Sequence, residues 1–191
     1  MATTVEGMAL TRAELESFAG RTIPDLVPTD VRLLFVGINP GLVSAATGLH
    51  FARPGNRFYP ALRLAGILPE AAVTPGQAAP ALTGRGVGIT NIVARASARA
   101  DELDDAELLA GRERLEGFIA KHRPRVVAFA GITSYRIAYG EKKARPGVQE
   151  RTISGAQVWV VPNPSGLNAH ETVTSLAAAY RAAAVAAGVV E

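Results

Sequence analysis

Arg32-Leu33-Leu34-Phe35-Val36-Gly37-Ile38-Asn39-Pro40-Gly41 is the stretch whose reading decides the fold. Residues 32–36 form a short apolar run between Asp30 and Gly37, the pattern of a buried strand. Three similar runs follow at 87–93, 126–130 and 158–161. Between them lie segments of helical character. Asn56 is placed to cap a helix over 57–65, and 108–122 has apolar residues near one face before Pro124. A short helix is expected near 133–139 and a final alanine-rich one over 173–187. Residues 74–86 hold so much Ala, Pro and Gly that they read as loop with one helical turn. A further loop carries Lys142, Lys143, Arg145 and Arg151.

Apolar strands alternating with helices predict an α/β fold. The expected form is a three-layer α/β/α sandwich around a mainly parallel sheet of about four strands. Residues 1–30 read as an N-terminal extension with a short helix opened by the capping box Thr11-Arg12-Ala13-Glu14, and Pro24 and Pro28 follow it. Residues 31–191 read as a single domain. The start of the chain lacks the basic and apolar regions of a secretion leader, and no apolar window of about 18 residues predicts a membrane span. Cysteine is absent, which excludes disulfides and thiolate metal sites and agrees with a cytoplasmic protein. Net charge is only +3, but five of the seventeen carboxylates fall within residues 101–107, leaving the rest of the chain more basic.

In parallel sheets the ligand sits beyond the carboxyl ends of the strands, so the segments after them are where chemistry is expected. After the first comes Gly37-Ile38-Asn39-Pro40-Gly41. Its glycines allow close backbone approach, and Asn39 offers a neutral amide that donates and accepts. The same residues also suit a plain turn in which Asn39 bonds its own backbone. After the last comes Pro162-Asn163-Pro164-Ser165-Gly166-Leu167-Asn168, where Leu167 either folds onto the core or serves as an apolar wedge.

Taken together, these two segments resemble the paired motifs of the mismatch-specific uracil-DNA glycosylases, bacterial relatives of thymine-DNA glycosylase. The likeness continues through Thr47-Gly48-Leu49-His50-Phe51-Ala52-Arg53-Pro54-Gly55-Asn56-Arg57-Phe58 and Gly88-Ile89-Thr90-Asn91-Ile92-Val93. It implies a monofunctional DNA glycosylase hydrolysing the N-glycosidic bond of uracil in mismatched double-stranded DNA, with thymine or ethenocytosine as further candidate bases. By position, Asn39 would hold the attacking water. Phe51 would stack on the extruded base, and the amides of Ile38 and Phe51 would bond its oxygens. Ser44 would lie near the ring 5-position, with Asn91 nearby. Gly166 and Leu167 would fill the vacated gap beside Asn168, and Gly41 and Ser165 belong to the same DNA-facing segments.

The resemblance implies no cofactor and no metal, and with His50, His122 and His170 alone a zinc site is poorly supplied. The expected partner is double-stranded DNA with G·U or related lesions, bound by a monomer with no membrane attachment. Faster families place Asp and His where this chain has Asn39 and Asn163, so a modest rate is expected. The family often continues Gly-Leu with Ser-Arg; here Asn168-Ala169-His170-Glu171 follows Leu167. Arg57, Arg95, Lys142, Lys143 and Arg145 are candidate phosphate contacts, though a solvated-surface role is the more ordinary one for each. Alternatives are a slow-turnover damaged-base binding module and a single-strand-selective relative. A nucleotide enzyme on the same scaffold lacks its phosphate loop here.

Overall fold

The computed structural model describes residues 3–5 and 8–191. Part of the start read as leaderless, namely Met1, Ala2 and Glu6, lies outside the described residues. Strands β1 (Thr3–Val5) and β2 (Met8–Leu10) pair antiparallel. Helix α1 (Arg12–Glu16) opens with the expected Thr11–Glu14 capping box. The main sheet then begins with β3 (Leu33–Gly37), followed by α2 (Leu42–Thr47), α3 (Phe58–Leu64), α4 (Pro75–Gly84) and β4 (Val87–Asn91). Helix α5 (Asp105–His122), β5 (Val126–Ala130), α6 (Ile132–Tyr139), β6 (Gly147–Ile153), β7 (Ala156–Val161) and α7 (Val173–Ala186) complete the chain.

The sheet has five strands in the order β4-β3-β5-β7-β6. The first four run parallel, and β6 returns antiparallel to β7. Strands β3, β4 and β5 are buried at every position, which is why β3 and β5 read as unbroken apolar runs and β4 as a mostly apolar one ending in Thr90 and Asn91. Along β3, Leu33 and Phe35 enter a core shared with α3, α4 and α7, while Leu34 and Val36 enter a second core with α5 and α6. These are the two faces of the three-layer sandwich. Among the described residues no helix is long and apolar enough to cross a membrane.

Two segments differ from the sequence reading. Residues 75–84 form helix α4 rather than loop: Thr74 and Gln77 make a capping box, Pro75 occupies the first turn, and Ala78 and Leu82 are buried. Strand β6 is a fifth strand lying within what reads as loop. It is a half-exposed edge, so its Gln149, Glu150 and Arg151 carry no apolar signal. Helix α5 also begins earlier than 108, because Asp104 caps it reciprocally with Glu107.

The chain leaves β3 toward β4 on one side and then crosses to β5 on the other. This reversal makes the carboxyl end of β3 the topological switch point, where the neighbouring connections part and open a crevice. Residues 20–26 cover the outer edge of β4: Leu26 and Ile89 exchange two backbone hydrogen bonds of 2.9 Å, and the Gly20 amide donates to Ala96 at 2.8 Å.

Helix α5 seats against the segment after β4 through Gly111, where an added Cβ would lie 2.4 Å from the Ile92 carbonyl oxygen. Gly117 on the same helix has open space. Gly117→Ala should therefore stabilise the protein by up to about 1 kcal/mol, the usual helix-propensity gain. Gly111→Ala should reverse the sign, and denaturant unfolding of the two variants checks this.

Candidate functional site

A cleft of about 380 Å³ opens at the carboxyl end of the parallel strands. Its lining brings together Ile38, Asn39, Gly41, Ser44, Phe51 and Asn91 from the first half of the chain with Ser165 and Leu167 from the last connection. Gly166 and Asn168 belong to that same connection but do not line the cleft; Asn168 faces an adjoining groove.

Asn39 is held by its amide nitrogen, which donates to the Arg95 carbonyl at 3.1 Å and to Ser97 Oγ at 2.7 Å. A carbonyl can only accept, so Arg95 fixes which end of the amide is nitrogen. Ser97 Oγ spends its own proton on the Arg99 carbonyl at 2.6 Å, which leaves it an acceptor toward Asn39. Both N–H groups of Asn39 are therefore committed, and its Oδ1 accepts from no donor among the described residues. Asn39 thus does not fold onto its own backbone as in an ordinary turn.

The support beneath Arg95 comes from the acidic run. Arg95 Nε pairs with Glu107, its other nitrogen reaches the second Glu107 oxygen at 2.8 Å, and it also donates to the Glu102 carbonyl at 3.0 Å. The Arg95 hydrogen bond, joined by the Asp104 amide contact, pushes the Glu107 carboxyl down to about 2. The pair stays charged at any ordinary pH. Arg95 is consequently a brace for the loop and not a free cation.

The inner wall is aromatic and neutral. Phe51 lies on Phe58 with centroids 4.0 Å apart and rings inclined by 24°. Its backbone has φ +52°, an uncommon conformation for an aromatic residue. The amides of Ile38 and Phe51 donate to no protein acceptor among the described residues. Ser44 Oγ accepts the Ala52 amide at 3.3 Å, leaving its proton as a donor. Gly37 is required here, because a Cβ would lie 2.4 Å from Asn91 Oδ1 and 3.3 Å from the Phe51 ring.

Asn91 Nδ2 approaches His50 Nδ1 at 3.4 Å, while His50 Nε2 donates to the Pro24 carbonyl at 3.0 Å. That carbonyl selects the tautomer with the proton on Nε2, so Nδ1 is the acceptor. Burial keeps the His50 pKa below its ordinary value, against smaller upward contributions from Pro24 and Asp25.

The last connection is a tight loop. The Ser165 amide donates to Asn163 Oδ1 at 2.9 Å, the Leu167 amide to Ser165 Oγ at 3.3 Å, and the Asn168 amide to the Ser165 carbonyl at 3.0 Å. Asn168 spends both ends of its side chain inside the loop, donating to Asn163 O at 3.2 Å and accepting the His170 amide at 3.3 Å. Leu167 projects from this frame with 75% of its surface exposed. It does not fold onto the core.

Of the candidate phosphate contacts, Arg57 is turned inward onto backbone carbonyls and Arg95 onto Glu107. Lys142, Lys143 and Arg145 are exposed on the α6–β6 connection. That connection enters β6 at Gly147 opposite Val160, at the cleft end of the sheet. Sequence reasoning passed over the supporting Ser97 and His50, and also Arg53 and Arg99, which line the cleft mouth. His50 and Arg53 fall within the 47–58 segment that carries the resemblance, but the resemblance gives them no site role, and Ser97 and Arg99 lie outside its motifs; the folded chain brings the four to one place.

Residues 24–186 match the family profile of the uracil DNA glycosylase superfamily. Among solved structures, the chain is similar to a solution NMR structure from Methanosarcina acetivorans, provisionally named a uracil DNA glycosylase. The TM-score is 0.61 at 16% identity, covering 89% of this chain and 98% of that one.

His50 generates a pH signature. Its folded pKa lies below the unfolded value of 6.5, so the unfolded chain takes up the proton first. Its contribution to stability should be complete above that value and fall on acidification below it, by at most about 1.4 kcal/mol per pH unit. Thermal unfolding across this range should show the slope in the parent protein and a shallower one in His50→Gln. Parallel curves would count against the assignment.

Proposed function

We propose that this chain, which belongs to the uracil DNA glycosylase superfamily, is a mismatch-specific member of it related to thymine-DNA glycosylase. In this reading it hydrolyses the N-glycosidic bond of uracil opposite guanine in double-stranded DNA and leaves an abasic site. The observation that carries the reading is the Asn39 amide, whose nitrogen is anchored twice while its oxygen is left as an acceptor.

A water donating one proton to Asn39 Oδ1 has its oxygen lone pair free for the sugar C1′. As the C1′–O bond forms, the C1′–N1 bond breaks and its electron pair passes to the pyrimidine, delocalised over O2 and O4. The water's surplus proton leaves to solvent, and the uracil anion is reprotonated after release. Asn39 is too weak a base to take that proton, so its contribution is placement. The amides of Ile38 and Phe51 oppose the charge growing on the leaving base. Such fixed dipoles lower the barrier without any titrating group. Phe51, backed by Phe58, offers the base a stacking surface, and Ser44 and Asn91 bound the space around it.

A base inside a duplex cannot reach this cleft and must be extruded, at a price of a few kcal/mol that is lowest for a mispair. That difference favours G·U over A·U. Leu167 fills the vacated stack, and the exposed Lys142, Lys143 and Arg145 attract the phosphates. No cofactor or metal enters the scheme, and one copy of the chain suffices.

The reading is tested by incubating the protein with G·U duplex, A·U duplex and single-stranded uracil oligonucleotides and resolving alkali-cleaved products. Free uracil should appear fastest from G·U, and no release from any of the three would overturn the assignment. Asn39→Ala should lower release by about 10²–10³-fold, the usual loss when one preorganised group is removed, with the unfolding transition retained. Leu167→Ala should slow release from the duplex more than from the single strand, and equal losses would remove the wedge role.

A further inference from the structure

Arg57 and Phe58 are consecutive residues at the start of α3, and they face two different parts of the site. Phe58 is the surface on which Phe51 lies, at 4.0 Å between centroids. The Arg57 guanidinium instead gathers three carbonyls of the last connection. It donates to Ser165 O at 2.5 Å, to Asn168 O at 2.8 Å and to Glu171 O. The Arg57 amide adds a fourth bond, to Pro164 O at 3.0 Å. Among the described residues no carboxylate pairs with Arg57, and its Nε is shut away from solvent without a partner. A second contact lies alongside, where a Cβ on Gly166 would come within 2.7 Å of the Gly55 carbonyl oxygen.

We infer that Arg57 is a positioning residue that ties the Leu167 loop to the base-stacking platform, so that insertion of the wedge and seating of the extruded base occur at one fixed separation. The inference rests on the function proposed above and deepens it. A planar guanidinium suits the task because its donors hold several carbonyls in fixed directions at once. A lysine is a point donor and cannot keep all three in register. A phosphate role for Arg57 is at odds with the same geometry, since the guanidinium is already spent on the loop.

The test compares the ratio of release rates on G·U duplex and on the single strand of the same sequence, in the parent protein, Arg57→Ala, Arg57→Lys and Gly166→Ala. In Arg57→Ala the ratio should fall about tenfold or more, as expected when hydrogen bonds from a charged donor are lost. Arg57→Lys should fall between it and the parent. Millimolar guanidinium ion added to Arg57→Ala should restore part of the ratio while leaving the parent unaffected. Gly166→Ala loosens the same junction from the opposite side and should lower the ratio without touching Arg57, so the inference stays testable if Arg57→Ala fails to fold. A fluorescent base analogue beside the uracil should report less extrusion in each variant. Unchanged ratios in both Arg57→Lys and Gly166→Ala would overturn the inference. An inactive parent protein would instead sink the function on which it rests.

Discussion

The donation of Asn39 Nδ2 to the Arg95 carbonyl is the contact on which the rest of the site depends. An asparagine amide can be turned end for end with little change in shape, and its two ends do opposite things to a water molecule. Here a backbone carbonyl removes that freedom, and Ser97, polarised by the Arg99 carbonyl, removes it again. The carbonyl is in turn stationed by Arg95, which Glu107 grips with both oxygens. A run of acid that looks in sequence like a solvated face is therefore partly the foundation of a neutral group two loops away.

The polar groups of the inner wall are likewise neutral; charged side chains enter the lining only as the exposed Arg53, Arg99 and Asp101, and the charges that brace the site stand behind it. Arg95 and Glu107 neutralise one another, Arg57 is spent on carbonyls, and burial disfavours the charged form of His50, which sits between Pro24 and Asn91. This division is what the proposed function asks for: a cavity that accepts a neutral base and stabilises it only as it departs as an anion. A fixed cation beside the base would favour the anion more strongly, but it would also bind undamaged polyanion indiscriminately. In the proposed reaction, weak, well-oriented dipoles would give up rate and retain selectivity.

The fold was legible where burial is complete. Strands β3, β4 and β5 lie between two helical layers, so their residues are mostly apolar or small and the runs stand out; Thr90 and Asn91 at the end of β4 are the polar exceptions. Strand β6 has solvent along its free edge and needed only backbone pairing, which leaves no trace in side-chain chemistry. Helix α4 was hidden by Pro75 and Pro80, since proline speaks against helix unless its place in the first turn and the Thr74–Gln77 cap are weighed together. In the site, a plain turn would accommodate Asn39 and a core contact would accommodate Leu167, so neither stood out alone; the two were legible only because their segments together resemble paired family motifs. Ser97 and His50 were not, because their role is set by carbonyls at Arg99 and Pro24 that no local pattern announces.

The rigidity of the last connection follows from a comparison of magnitudes. Burying one leucine side chain is worth about 1.5–3 kcal/mol. Extruding a base costs a few kcal/mol, so a wedge can at best offset that step. Fixing the backbone of a single free residue costs about 1–2 kcal/mol. Were the loop around Leu167 disordered before binding, ordering even three of its residues would consume the whole gain. In the proposed role a wedge is useful only if its frame is already built, and the loop meets that condition: Asn163, Ser165 and Asn168 bond one another within it, and Arg57 bonds it from below. Leu167 can stay in water, at a standing cost to the free protein, because everything beneath it has been ordered in advance.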